Sequence, residues 1–194
     1  MDKIKSAYEM AMERFSKRKE MPRWEIDRME YEPAGNRAAA AFLEDRGYNL
    51  KAEMERHPKS LRGYVAGGFE KTMLHNIMLP ADQDTREVNI RAMEGLLAIK
   101  KNKRATEELF GQLEHLFTYY EKALAQTYSQ FKEHFSEKID AQVKLVEKRS
   151  GTKLKVNPEI QPGFQEEWFK IRGQLNMHYE KVLKELKEKL HKVQ

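Results

Sequence analysis

Apolar residues at Phe110, Leu113, Phe117, Tyr120, Leu124, Tyr128, Phe131, Phe135 and Ile139 recur at three- and four-residue steps, and the series continues through Gln142 to Val146. At about 100° per residue these positions stay within an arc of roughly 100°, the mark of a helix buried along one side. Leu109, Leu116, Ala123, Thr127 and Leu145 widen the arc on one flank. A second series, Phe164, Trp168, Ile171, Leu175, Tyr179, Val182, Leu186, Leu190 and Val193, has the same spacing with charges between. Two such stripes joined by about a dozen residues fold back as an antiparallel pair. Their mean step is about 3.6 rather than 3.5, which argues against a strongly supercoiled seam. The rings are therefore expected to be core. Tyr119 is the exception, since it falls about 180° from the centre of the stripe and is exposed unless a partner covers it.

Before Pro80 the pattern breaks into shorter pieces. Ile4, Tyr8, Ala11 and Phe15 mark a first short helix. WEIDRMEYE, after Pro22, predicts a second that stops before Pro33. Asn36 is the expected N-cap of a third, NRAAAAFLEDRG, with Gly47 at C′. Asn49 opens LKAEMERH, closed by Pro58, and Ser60 starts a Gly-interrupted helix stopped at Pro80. Asp82 or Asp84 caps a helix through VNIRAMEGLLAIKKNK, which either runs on or bends at Asn102 into the long stripe. Gly151 ends that helix, TKLKVNPEIQPG connects with some extended residues at KLKV, and a last helix runs from about Phe164 towards Val193. The expected fold is all-α: a cluster of short helices over 1–80, then a long antiparallel helical hairpin over 81–194 with its connector near 151–163.

Composition narrows the function. The 194 residues include no cysteine, which excludes disulfides, Cys-ligated metal and thiol catalysis. The N-terminus lacks an apolar h-region, and no uncharged apolar run approaches the roughly 18 residues that cross a bilayer. No membrane insertion and a cytoplasmic location are expected. The net charge of +5 suggests nucleic acid, but its distribution does not favour it. Lys100, Lys101, Lys103 and Arg104 form one basic cluster, and Lys148, Arg149, Lys153 and Lys155 another. On a continuous helix these lie about 65–70 Å apart, too far for a single patch, and basic ends are ordinarily solvated or matched to the helix dipole.

Chemical motifs are scarce. Gly63 and Gly68 have the separation of a phosphate loop, but Phe69 stands where a lysine must reach the phosphates. Gly63 and Gly67, four apart, are instead expected to let another helix approach closely. Six histidines occur without HExxH or HxxxH, and the one Glu-x-x-His, Glu188 to His191, sits at the C-terminus. His134 flanks the apolar arc as a core-edge histidine. No metal and no cofactor are expected. Glu107, Glu114 and Glu121 form a row on the long helix, with Glu121 nearest the core edge. A buried carboxylate row can do acid–base work, but pairing with a neighbouring helix, for instance with Arg172 or Lys181, is the simpler expectation.

The reading that follows is a non-catalytic interaction or scaffold protein, self-associating or bound to a protein partner, with Tyr119, Gly63 and Gly67 as interface residues. Nucleic-acid binding through the two basic clusters is the alternative. An enzyme whose site lies between the N-terminal cluster and the hairpin is the second. KSAYEMAMERF, YEPAGNRAAAAFL, RAMEGLLAIKKNK and LFTYYEKAL, in that order, resemble a family of functionally uncharacterised all-helical proteins of anaerobic bacteria. The resemblance implies a cytoplasmic bacterial setting and supplies no catalytic residues to transfer.

Overall fold

In a computed structural model, residues 6, 8–10, 12, 21–151, 153 and 156–193 are described. All of their regular structure is helical, with no strand among the described residues. The elements are α1 (Arg23–Glu44), α2 (Leu50–Glu55), α3 (Arg62–Asn76), α4 (Gln83–Ile99), α5 (Lys103–Ser150), a 3-10 turn (Pro158–Ile160) and α6 (Phe164–Lys192). No described helix is long and apolar enough to cross a membrane. The chain forms two compact units, residues 1–69 and 70–194, with the division inside α3.

In the first unit, the expected break at Pro33 does not occur. α1 runs through Pro33 as one 22-residue helix, so Asn36 is an interior residue and not a cap. Pro33 is exposed, as is Met29 four residues earlier, and water can satisfy the carbonyl that proline leaves without a donor. α1 ends at Asp45, and Gly47 does not take the left-handed conformation. Asn49 caps α2 as expected, its side chain accepting from the Ala52 amide. Of the expected first helix, Tyr8–Met10 and Met12 are helical, while Ile4, Ala11 and Phe15 lie outside the described residues.

α1 and α3 cross at two glycines. A Cβ at Gly35 would lie inside the Val65 carbonyl oxygen and 2.7 Å from the Phe69 nitrogen. A Cβ at Gly68 would strike the Glu32 carbonyl oxygen and come within 3.0 Å of Asn36 Oδ1. Each helix thus contributes one glycine against the other's backbone. Phe42 and Phe69 close the crossing edge to face at 5.6 Å. The close approach belongs to Gly35 and Gly68. Gly63 and Gly67, the expected pair, meet nothing within 4 Å, because Gly68 is the α3 glycine turned towards α1.

The second unit is built on α5 and α6. Phe135 meets Phe164 at 5.1 Å, Phe131 stacks on Trp168, and Tyr120 meets Tyr179 at 5.3 Å. Position numbers rise along one helix as they fall along the other, so the pair is antiparallel. Phe131, Phe135 and Phe164 form one cluster with Tyr128, Ile139, Trp168 and Ile171 packed around it. Towards the other end Leu113, Phe117 and Tyr120 of α5 and Leu183, Leu186 and Leu190 of α6 are buried. Leu183 was absent from the sequence stripe, whereas Val182, which was in it, is 37% exposed.

Helix ends in this unit follow the chain's cap residues. Asp82 accepts from the Thr85 amide, Asn102 from Ala105, and Gly151 closes α5 at φ 74°. α4 and α5 are separate helices, parted at Lys100–Asn102. Of the expected extended residues at KLKV, Leu154 and Lys155 lie outside the described residues, and Lys153 and Val156 take no regular structure. Buried Asn89 holds the segment between α3 and α4, accepting from the Met78 amide at 2.8 Å and donating to the Met78 carbonyl at 2.7 Å. Lys100, also buried, donates to Glu70 Oε1 at 2.8 Å and the Val193 carbonyl at 2.6 Å. It thereby ties the end of α6 to the start of the unit.

Candidate functional site

Once α6 has placed its rings against α5, one flank remains uncovered. Helical spacing sets Arg172, Asn176, Glu180, Leu183 and Lys187 along that flank. Opposite them runs Ile77–Ala81, the segment that Asn89 holds. With Tyr120 and Lys184 these residues line an open hollow of about 490 Å³. Tyr120 donates its hydroxyl to Asn176 Oδ1 at 2.9 Å, which leaves the Asn176 amide hydrogens uncommitted among the described residues. Burial raises the Tyr120 phenol above its ordinary pKa, so it stays a donor.

The charges of this flank are unbalanced. Arg172, Lys184 and Lys187 face the hollow against one carboxylate, Glu180. None of the three cations forms an ion pair among the described residues. Burial pushes the Lys187 amine below its ordinary pKa, with no carboxylate to counter it.

Arg172 also borders two further hollows. One, of about 570 Å³, is lined by Trp168 and Phe169 with Gln165, Glu166 and Lys170. There the Arg172 guanidinium lies 5.8 Å from the centre of the Phe169 ring. Phe169 is 68% exposed, while Trp168 is half-buried against Tyr128 and Phe131. The other, of about 500 Å³, lies between Pro80–Gln83 and the Glu121, Leu124 and Tyr128 face of α5.

Comparison with known families adds a finding of its own. A model of a family of unknown function, DUF6657, matches residues 51–192, well over half of the chain. The chain belongs to the DUF6657 family. No curated protein matches it, and no solved structure does. The coarse form of the resemblance, an uncharacterised family, is thus met, and the DUF6657 chain takes no residue roles from relatives.

The expected site residues of this DUF6657 chain scatter. Tyr119 is 65% exposed on the outer side of α5, as its angle requires. Gly63 is exposed and Gly67 partly covered. The carboxylate row is not buried: Glu107 and Glu114 are exposed, on the open side of α5. Glu121 takes both its oxygens to Arg86 Nη1 at 2.8 Å. Arg86 of α4 is therefore its partner, in place of Arg172 or Lys181. His134 is exposed, so it is no core-edge histidine.

The first basic cluster is dispersed. Lys100 is buried with Glu70 and unavailable to a phosphate. Arg104 pairs with Glu108, and Lys103 donates to the Leu97 carbonyl. Lys101, Lys148 and Lys153 are exposed. Lys155 and the Arg149 side chain lie outside the described residues. No group of three His, Asp or Glu suited to a metal occurs among the described residues.

Sequence reasoning missed the α6 flank as a site. Its signal was present: Arg172, Asn176, Glu180 and Lys184 step by four beside the apolar stripe, and the cations outnumber the carboxylates. What could not be read was which charges would find partners.

Proposed function

We propose that this DUF6657 protein is a non-catalytic helical interaction protein whose contact surface for a protein partner is the uncovered flank of α6. The observation that carries the reading is the grouping of Trp168, Phe169 and Arg172 within one turn. Aromatic and arginine side chains supply much of the energy at protein interfaces: the rings bury large area at little entropic cost, and the guanidinium stacks on rings and donates several hydrogen bonds. Here a half-buried indole fixes the base of the patch, an exposed phenyl ring presents its face, and a guanidinium stacks on it. One side of α6 builds the fold and the adjoining side offers the contact. The setting is the cytoplasm of an anaerobic bacterium, as the sequence resemblance implies.

The test places a photo-crosslinking phenylalanine at Phe169 and, as a control, at exposed Glu133 of α5. After irradiation in the native host, discrete protein adducts are expected at Phe169 above the Glu133 level. Equal labelling at both positions would overturn the assignment. Adducts of doubled chain mass would identify the partner as a second copy.

A further inference from the structure

We propose that the α6 flank takes an extended acidic segment of the partner, an inference that rests on the interaction reading above. The spacing of the cations fits such a segment. Arg172 and Lys184 are twelve residues apart, about 18 Å along the helix. An extended chain covers that distance in five to six residues at about 3.3 Å each. Six residues return a side chain to the same face, so acidic groups six apart can meet Arg172 at one end and Lys184 with Lys187 at the other.

The floor between the cations suits such a segment. Leu183, Ile77 and Leu79 line the same hollow, and intervening side chains that point inward meet apolar surface. Recognition here rests on side chains rather than on an added strand: Met78 has both backbone groups held by Asn89, and Pro80 has no N–H to offer. Beyond Arg172 the Trp168–Phe169 shelf accepts one further apolar residue at the segment's end.

Charge selects the occupant. Three cations without carboxylate partners attract a polyanion, and Asn176 adds uncommitted donors. Glu180, between Arg172 and the two lysines, disfavours a ligand with a charge at every step. A nucleic-acid backbone has that uniform charge, whereas a peptide can alternate acidic and apolar positions. The acidic peptide is the better fit.

The test uses the full chain and fluorescence anisotropy with three labelled probes. The first is an octapeptide with Glu second and eighth, and Leu and Ala at the other positions. The second has Lys in place of both Glu residues, and the third is octathymidylate. The Glu peptide is expected to bind at least about fivefold tighter than the Lys peptide, and to weaken as salt rises. Arg172→Gln and the double variant Lys184→Gln with Lys187→Gln should each weaken it about fivefold while leaving the helical circular dichroism intact.

No binding of the Glu peptide, equal binding of the Lys peptide, unchanged affinity in both variants, or tighter binding of octathymidylate would each overturn the proposal. The crosslinking result separates this failure from that of the broader reading. Adducts at Phe169 that persist in the glutamine variants keep an interaction protein but remove its acidic partner. A parent chain without those adducts loses both.

Discussion

The α1–α3 crossing and the α5–α6 hairpin solve the same problem, holding two helices together, by opposite means. At the crossing, Gly35 and Gly68 let backbone meet backbone, with no side chain between. In the hairpin, rings fill the gap: Phe131, Phe135, Phe164 and Trp168 touch one another in varied edge and stacked arrangements. The first contact depends on what is missing and fails when an atom is added. The second depends on bulk and fails when atoms are removed. Ring packing also tolerates adjustment, because side chains can change rotamer while backbone can move only with its whole helix.

The largest expected effect lies in the hairpin. Phe131→Ala removes a ring that contacts Phe135, Phe164 and Trp168, and should destabilise the second unit by about 3–5 kcal/mol. Urea unfolding followed by Trp168 fluorescence measures it, in a Trp24→Phe background so that a single indole reports. Gly35→Ala adds one carbon and should cost the first unit about 1–3 kcal/mol despite the better helix propensity of alanine. Trp24 reports that transition in a Trp168→Phe background. If Gly35→Ala were neutral, the two helices could slide apart freely and the contrast between the regions would fail.

The sharpest control lies on α3 itself. Gly67→Ala places its methyl group in open space and should stabilise the helix by about 0.5–1 kcal/mol. Adjacent glycines on one helix are thus expected to respond with opposite sign, Gly68→Ala downward and Gly67→Ala upward. Thermal unfolding of the two variants side by side tests this. Matching signs would show that glycine acts here through helix propensity rather than through contact.

That pair of glycines also marks the limit of what was legible in the sequence. Periodicity revealed the hairpin because dozens of side chains repeat the same choice, and an error at one position, Val182 for Leu183, changes little. Caps were legible at Asn49, Asp82 and Gly151 because each acts on its own neighbours. The crossing was not, since choosing among Gly63, Gly67 and Gly68 requires knowing which way α3 faces α1. Pro33 misled for a related reason: a proline ends a helix unless its surroundings can satisfy the freed carbonyl. Exposure, which the sequence does not show, decides that. Lys100 is the same lesson in charge, a member of KKNKR by sequence and a buried partner of Glu70 by structure.

The smallest effect says most about function. Lys187→Met removes an amine whose pKa burial has lowered from its ordinary 10.5, while keeping an unbranched apolar stem. Because the folded-state pKa is depressed, the unfolded chain holds this proton more tightly, so the fold bears a penalty at neutral pH that eases as pH rises. The variant should therefore be more stable than the parent at neutral pH, by less than about 1 kcal/mol given partial exposure. The gap should narrow as pH approaches the ordinary lysine range. Paired titrations of thermal unfolding would show it. If Lys187 is kept for binding, the same variant must bind the Glu octapeptide more weakly while folding more stably. A stabilised chain with undiminished affinity would leave the lysine with no role in the groove, and Arg172 and Lys184 as its anchoring charges.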